Sequence, residues 1–122
     1  MAEVKRKYYE NGKLKSECFE INGIKEGEQK HYYKDGQLWV IYNYNNDKLN
    51  GVYKSYHKNG QLQSICNFVN YIIEGEPKTY YENGNLKEVG NCVNGNYDGE
   101  YKSYHKNGDL KEISYYNNGV KK

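Results

Sequence analysis

Tyr8-Tyr9-Glu10-Asn11-Gly12-Lys13-Leu14 returns as Tyr32-Tyr33-Lys34-Asp35-Gly36-Gln37-Leu38, as Tyr56-His57-Lys58-Asn59-Gly60-Gln61-Leu62, as Tyr80-Tyr81-Glu82-Asn83-Gly84-Asn85-Leu86 and as Tyr104-His105-Lys106-Asn107-Gly108-Asp109-Leu110. Each copy begins 24 residues after the one before. A fixed period of this length is the signature of a repeat architecture, in which every unit packs mainly on its neighbours. Asn-Gly and Asp-Gly tolerate positive φ at both positions, so each copy predicts a tight type I′ hairpin. A second glycine column, Gly27, Gly51, Gly75 and Gly99, keeps the same step and is expected to close the opposite side of each unit.

Two turns per period leave two strands per period. The first runs through segments such as Val52–His57 and the second through segments such as Leu38–Tyr44, both rich in the Tyr, Val and Ile that strands favour. Apolar residues three apart, as at Leu38, Ile41 and Tyr44, also suit a helix face. The segments are about eight residues long, below the length at which a helix sustains itself, and lack capping residues. The spacing is better explained by apolar residues on both strand faces, or by a bulge after the leucine. The expected fold is all-β: a single-layer antiparallel meander of about ten short strands, an elongated twisted ribbon about 48 Å by 20 Å.

Composition agrees. The 122 residues fit one repeat domain, residues 1–122, with no linker composition and a single proline. Aliphatic content is low, yet the net charge is only +2 and there are 16 tyrosines, which argues against disorder. Tyrosine bodies must supply much of the buried surface while their hydroxyls seek water or a partner, so the fold should be thin and wet. The polar, basic start of the chain carries no apolar signal core and no run of about 20 apolar residues, which leads us to expect a cytoplasmic protein. The chain starts and stops halfway through a repeat, which leaves room for a longer parent.

Blocks such as Gly51-Val52-Tyr53-Lys54-Ser55-Tyr56-His57-Lys58-Asn59-Gly60-Gln61-Leu62 and Gly99-Glu100-Tyr101-Lys102-Ser103-Tyr104-His105-Lys106-Asn107-Gly108-Asp109-Leu110 resemble MORN repeats, in particular the bacterial variant with a tyrosine pair before Asn-Gly. The resemblance covers essentially the whole chain, and the Gly-x-Gly elements of the eukaryotic pattern are missing. It implies a scaffold for protein contacts, with lipid binding also proposed for such repeats. Chains of this variant are often labelled antitoxins of the YwqK type, so the resemblance further implies a toxin as partner.

The residues themselves point away from chemistry. Cys18 and Cys66 share one repeat position two periods apart, about 19 Å at four strand spacings, far beyond disulfide reach. Cys92 lies in yet another repeat. No Cys-x-x-Cys or His-x-x-x-His spacing suggests a metal, so the thiols read as small hydrophobes in a reducing compartment. His57 and His105 stand where other copies have Tyr9, Tyr33 and Tyr81: a position that accepts Tyr or His selects a ring with a polar tip, not a base. His31 shares its column with Ser55, Thr79 and Ser103, but a thin sheet does not bring nucleophile, base and carboxylate together. We expect no catalytic residue and no cofactor.

Lys30, Lys54, Lys78 and Lys102 form a column headed by Arg6, but Glu28, Glu76 and Glu100 lie two residues away on the same face. The column is largely neutralised, and a net charge of +2 gives no concentrated basic field for nucleic acid. An anionic membrane surface or a glycan, met by the flat aromatic and lysine face, is the alternative ligand. The first tyrosine column and the leucine column are expected to pack the repeats. The second aromatic column, Tyr9, Tyr33, His57, Tyr81 and His105, is the candidate for partner binding, since aromatics with polar tips are common at interfaces. Trp39 joins it as the only tryptophan, in a column otherwise filled by Lys15, Gln63, Lys87 and Lys111.

Overall fold

The computed structural model describes Met1–Lys122. Its strands are β1 (Ala2–Tyr8), β2 (Leu14–Ile21), β3 (Ile24–Tyr32), β4 (Leu38–Asn45), β5 (Lys48–Leu49), β6 (Gly51–Tyr56), β7 (Leu62–Val69), β8 (Ile72–Tyr80), β9 (Leu86–Val89), β10 (Cys92–Val93), β11 (Asn96–Tyr97), β12 (Gly99–Tyr104), β13 (Leu110–Asn117) and β14 (Val120–Lys121). Every pairing is antiparallel and follows chain order, as a meander requires. The sheet is open, not closed into a barrel. The short elements β5 with β6, β9 with β10, and β11 with β12 are single strands bent in the middle, so the all-β ribbon of short strands is as expected.

The turns differ from expectation in an instructive way. The Asn-Gly and Asp-Gly copies do not form type I′ turns. Gly12 N–H donates to the Tyr9 carbonyl and Tyr9 N–H to the Lys13 carbonyl, both at 2.9 Å, and only the glycine has positive φ (86°). This is a type I turn followed by a bulged glycine, the usual three-residue hairpin loop. The type I′ turns lie at the opposite edge, at Asn22-Gly23, Asn46-Asp47, Asn70-Tyr71, Asn94-Gly95 and Asn118-Gly119, where both residues have positive φ. The glycines at 27, 51, 75 and 99 therefore close nothing. They sit within or at the start of strands at positive φ, and at Gly27 and Gly75 they coincide with breaks in pairing register. Pro77 sits in the second of these breaks, a bulge being a site where a strand tolerates proline.

A second register shift follows each leucine: His31 pairs with Val40 but Tyr32 with Leu38, leaving Trp39 as the extra residue. The bulge lets Leu38 and Ile41 share a face despite their odd spacing, while Tyr44 points the other way by alternation. The helix-like period is a strand with a bulge.

Alternation then sorts the two faces. One carries His31, Tyr42, Tyr53, Tyr44 and Phe68, whose rings lie 5.7–5.9 Å apart in a continuous ladder, and a separate cluster of Tyr97, Tyr101 and Tyr116 at 5.2–6.1 Å. Beneath these rings lie the small residues Ser16, Val40, Ser55, Cys92 and Ser114, all buried. Gln29, only 1% exposed, turns its amide onto the Phe19, Glu26 and Gly27 carbonyls and so satisfies the bulge. The other face carries Lys30, Ile41, Lys54, Ile65, Lys78, Val89, Lys102 and Ile113 in one cross-strand row. Just 7 of the 122 residues are buried, so this is a thin sheet whose tyrosine bodies serve as its core. The leucine column contributes less than expected: Leu14, Leu38, Leu62 and Leu86 are half-buried and Leu110 is exposed.

Candidate functional site

The second aromatic column lies along the type I turn edge, and four of its five polar tips are already engaged. Tyr9 Oη donates to the Tyr32 carbonyl (2.5 Å), Tyr33 Oη to Tyr56 (2.7 Å) and Tyr81 Oη to Tyr104 (2.6 Å). His57 Nε2 lies 2.8 Å from the Tyr80 carbonyl, which selects the Nε2–H tautomer. Each bond spans 23 residues and ties one repeat to the next. The tolerance for Tyr or His follows, since both put a donor at the end of a flat ring. His105 makes no such bond and is exposed.

The turn asparagines form a parallel set. Asn11, Asn59 and Asn83 accept the amide two residues on through Oδ1, and donate through Nδ2 to the carbonyls of Lys34, Glu82 and Lys106 (2.7–3.0 Å). Asp35 accepts from the Gln37 amide at 3.0 Å but has no amide to give. At the other edge the turn amides of Asn46, Asn94 and Asn118 donate to Glu26, Glu74 and Asp98, and that of Asn70 to Asn50, each 20 residues back. These two zips were readable only as polar columns in step with the period; nothing in the sequence alone says what they bind.

With their tips tied, the rings offer their faces. Lys15 Nζ stands 5.7 Å above the Tyr9 ring and Lys87 Nζ 5.6 Å above Tyr81, while Trp39 takes the equivalent place beside Tyr33 with ring centroids 5.8 Å apart. Trp39 thus replaces a cation–π cap by an aromatic one, and it remains 45% exposed. Lys58 reaches the same Tyr33 ring from the following repeat, at 6.0 Å. Three shallow grooves result. One, about 460 Å³, is lined by Tyr9, Tyr33, Lys34, Asp35, Trp39 and Lys58. Tyr8, Tyr9, Glu10, Asn11, Lys15 and Lys34 line the second, and the third lies among His57, Tyr80, Tyr81, Glu82, Lys87 and Lys106. The structure therefore brings together Tyr9, Tyr33 and Trp39, and separately His57 and Tyr81.

The titratable groups serve structure. Burial pushes the Cys18, Cys66 and Cys92 thiols up, which keeps them protonated and poor nucleophiles. All three are free. His31 is held below its ordinary range, first by burial and then by Lys7 and Lys25, while its Nε2 meets Tyr42 Oη at 2.9 Å. Burial pushes Tyr42 up to about 12. On the opposite face Glu28 pairs with Lys30 (3.3 Å) and Glu100 with Lys102 (3.1 Å), raising both lysines, while Glu76 forms no such pair with Lys78. No three His, Cys, Asp or Glu side chains group to hold a metal ion, and no helix is long and apolar enough to cross a membrane.

An open all-β repeat ribbon with aromatic and charged patches along one edge has a surface that fits a protein-binding scaffold. The profile of the MORN repeat variant matches residues 4–19, 25–46, 49–70, 73–94 and 97–118, and the chain belongs to that family. A search of the curated proteins gives no match.

Proposed function

We propose that the ribbon binds a protein partner along its type I turn edge, through the ring faces of Tyr9, Tyr33, Trp39, His57, Tyr81 and His105. The observation that carries this reading is the division of labour in that column. Four of the polar tips are tied to the following repeat, which fixes the rings without covering them, and rigid aromatic surface is what interface anchors require. The antitoxin resemblance of this repeat variant supports a toxin as the partner. Three free cysteines suit a reducing cytoplasm.

Photo-crosslinking in the native cell from position 35, which lines the same groove as Trp39, tests the reading. One specific protein should be captured, and capture should fall when Trp39→Lys restores the residue found elsewhere in the column. The competing reading is an anionic membrane or a glycan on the opposite face, where lysines alternate with Ile41, Ile65, Val89 and Ile113. It gains if the protein co-sediments with anionic vesicles in a salt-dependent manner and no protein is captured.

A further inference from the structure

The corner residues of the five type I turns are Glu10, Lys34, Lys58, Glu82 and Lys106, all exposed and all at the same step of the repeat. Equivalent positions one repeat apart are separated by two strand spacings, about 9.6 Å. A polyproline II helix has three residues per turn and a rise of about 3.1 Å, so one face repeats about every 9.3 Å. A β-strand does not match, because residues three apart point to opposite sides. Segments in polyproline II conformation are also recognised by grooves lined with aromatic rings, and the rings of Tyr9, Tyr33, Trp39 and Tyr81 lie beside the corner residues in the three grooves.

Resting on the partner-binding reading above, we infer that the turn edge receives an extended polyproline II segment of the partner, one turn of the segment per repeat, and selects it by a charge code. The corners run negative, positive, positive, negative, positive. The complementary segment is Lys-x-x-Glu-x-x-Glu-x-x-Lys-x-x-Glu, with apolar or proline residues at x packing on the rings. One of the code's cations is pre-positioned, Lys58 being drawn over the Tyr33 ring at 6.0 Å. Holding an ammonium on a ring lowers the ordering cost of meeting an anion. The code also gives rejection, because a carboxylate placed opposite Glu10 or Glu82 meets its own sign.

The test uses the full chain and three synthetic peptides, with x as proline, and reads the fluorescence of Trp39, the only tryptophan. The first peptide carries the code above. The second has the same composition with its charges at every second position and the remaining prolines at its ends, and the third has every charge reversed. The first should bind about tenfold or more tighter than either control, and its affinity should fall as salt rises. Lys34→Glu combined with Lys58→Glu should weaken the first peptide and favour a version whose two facing glutamates are lysines. Equal affinity for all three peptides, no binding at all, or an unchanged preference in the charge-reversed variant overturns the inference. Partner capture that still depends on Trp39 would then leave the broader reading standing.

Discussion

Tyr33 Oη donates to the carbonyl of Tyr56 at 2.7 Å, from one repeat into the next. The same bond recurs from Tyr9 and Tyr81, and His57 makes its own version to Tyr80. Removing the hydroxyl keeps the ring, so Tyr81→Phe isolates the bond. We expect a loss of about 0.5–1.5 kcal/mol in urea unfolding. His57→Tyr should be nearly neutral, since the sheet accepts either ring at this position; a loss as large as that of Tyr81→Phe would show that the histidine is held by something else.

Asp35 marks the place where the asparagine zip misses a tooth. Asp35→Asn supplies an Nδ2 opposite the Lys58 carbonyl and should stabilise the protein by about 0.5–1 kcal/mol, and Asn59→Asp should destabilise it by a similar amount. Thermal melts of the two variants check both signs. An Asp35→Asn variant no more stable than the parent would mean that the neighbouring bond, Lys13 Nζ to the Asp35 carbonyl at 3.1 Å, already fixes the turn.

Gly90 is buried where other repeats carry Cys18, Tyr42, Cys66 and Ser114, and the Tyr97 ring fills the space. A Cβ there would come 2.7 Å from Tyr97 Cε1 and 3.0 Å from its Cδ1. Gly90→Ala should therefore displace Tyr97 from Tyr101 and Tyr116 at a cost of about 1–3 kcal/mol. Near-ultraviolet circular dichroism should change with it. An unchanged spectrum would show that the ring moves aside freely.

The tyrosine ladder predicts an alkaline limit. Tyr42 is raised to about 12 by burial, and Tyr53, Tyr97 and Tyr101 are raised as well. A tyrosine raised in the folded state favours its neutral form there. Its contribution is complete below the ordinary tyrosine range and is lost as pH rises from about 10 towards about 12. Tyrosinate absorbance should lag behind that of the unfolded chain through this window and then rise together with unfolding. His31 works in the opposite direction: its folded value is depressed, so its contribution is present above the ordinary histidine range and lost as pH falls through the folded value.

Much of this fold is written in its period. Five copies in step give two turns and two strands per unit, and the antiparallel order follows. The turn types were not legible from the dipeptide, because Asn-Gly suits both a type I′ turn and a type I turn with a bulged glycine. What decides is the register of the strands on either side, which puts type I′ turns at Asn70-Tyr71 and Asn46-Asp47, where the dipeptide signal is weakest. The candidate aromatics could be picked out by column, but their hydrogen bonds run to main-chain carbonyls, which have no letter in a sequence. Trp39 stood out as an exception to its column; that it takes a lysine's place beside a tyrosine ring needed the geometry.

In the recurring rungs at both edges the side chain belongs to the earlier repeat and the main-chain group to the later one, as from Tyr9 to Tyr32 and from Glu26 to Asn46. The receiving half of each joint is thus generic. A duplicated unit inserted anywhere in the array would find its predecessor's side chains ready to hold it, whatever its own outward-facing residues. Such a joint lets an ancestral gene lengthen by copying, and frees ring faces and turn corners to diverge without loosening the join.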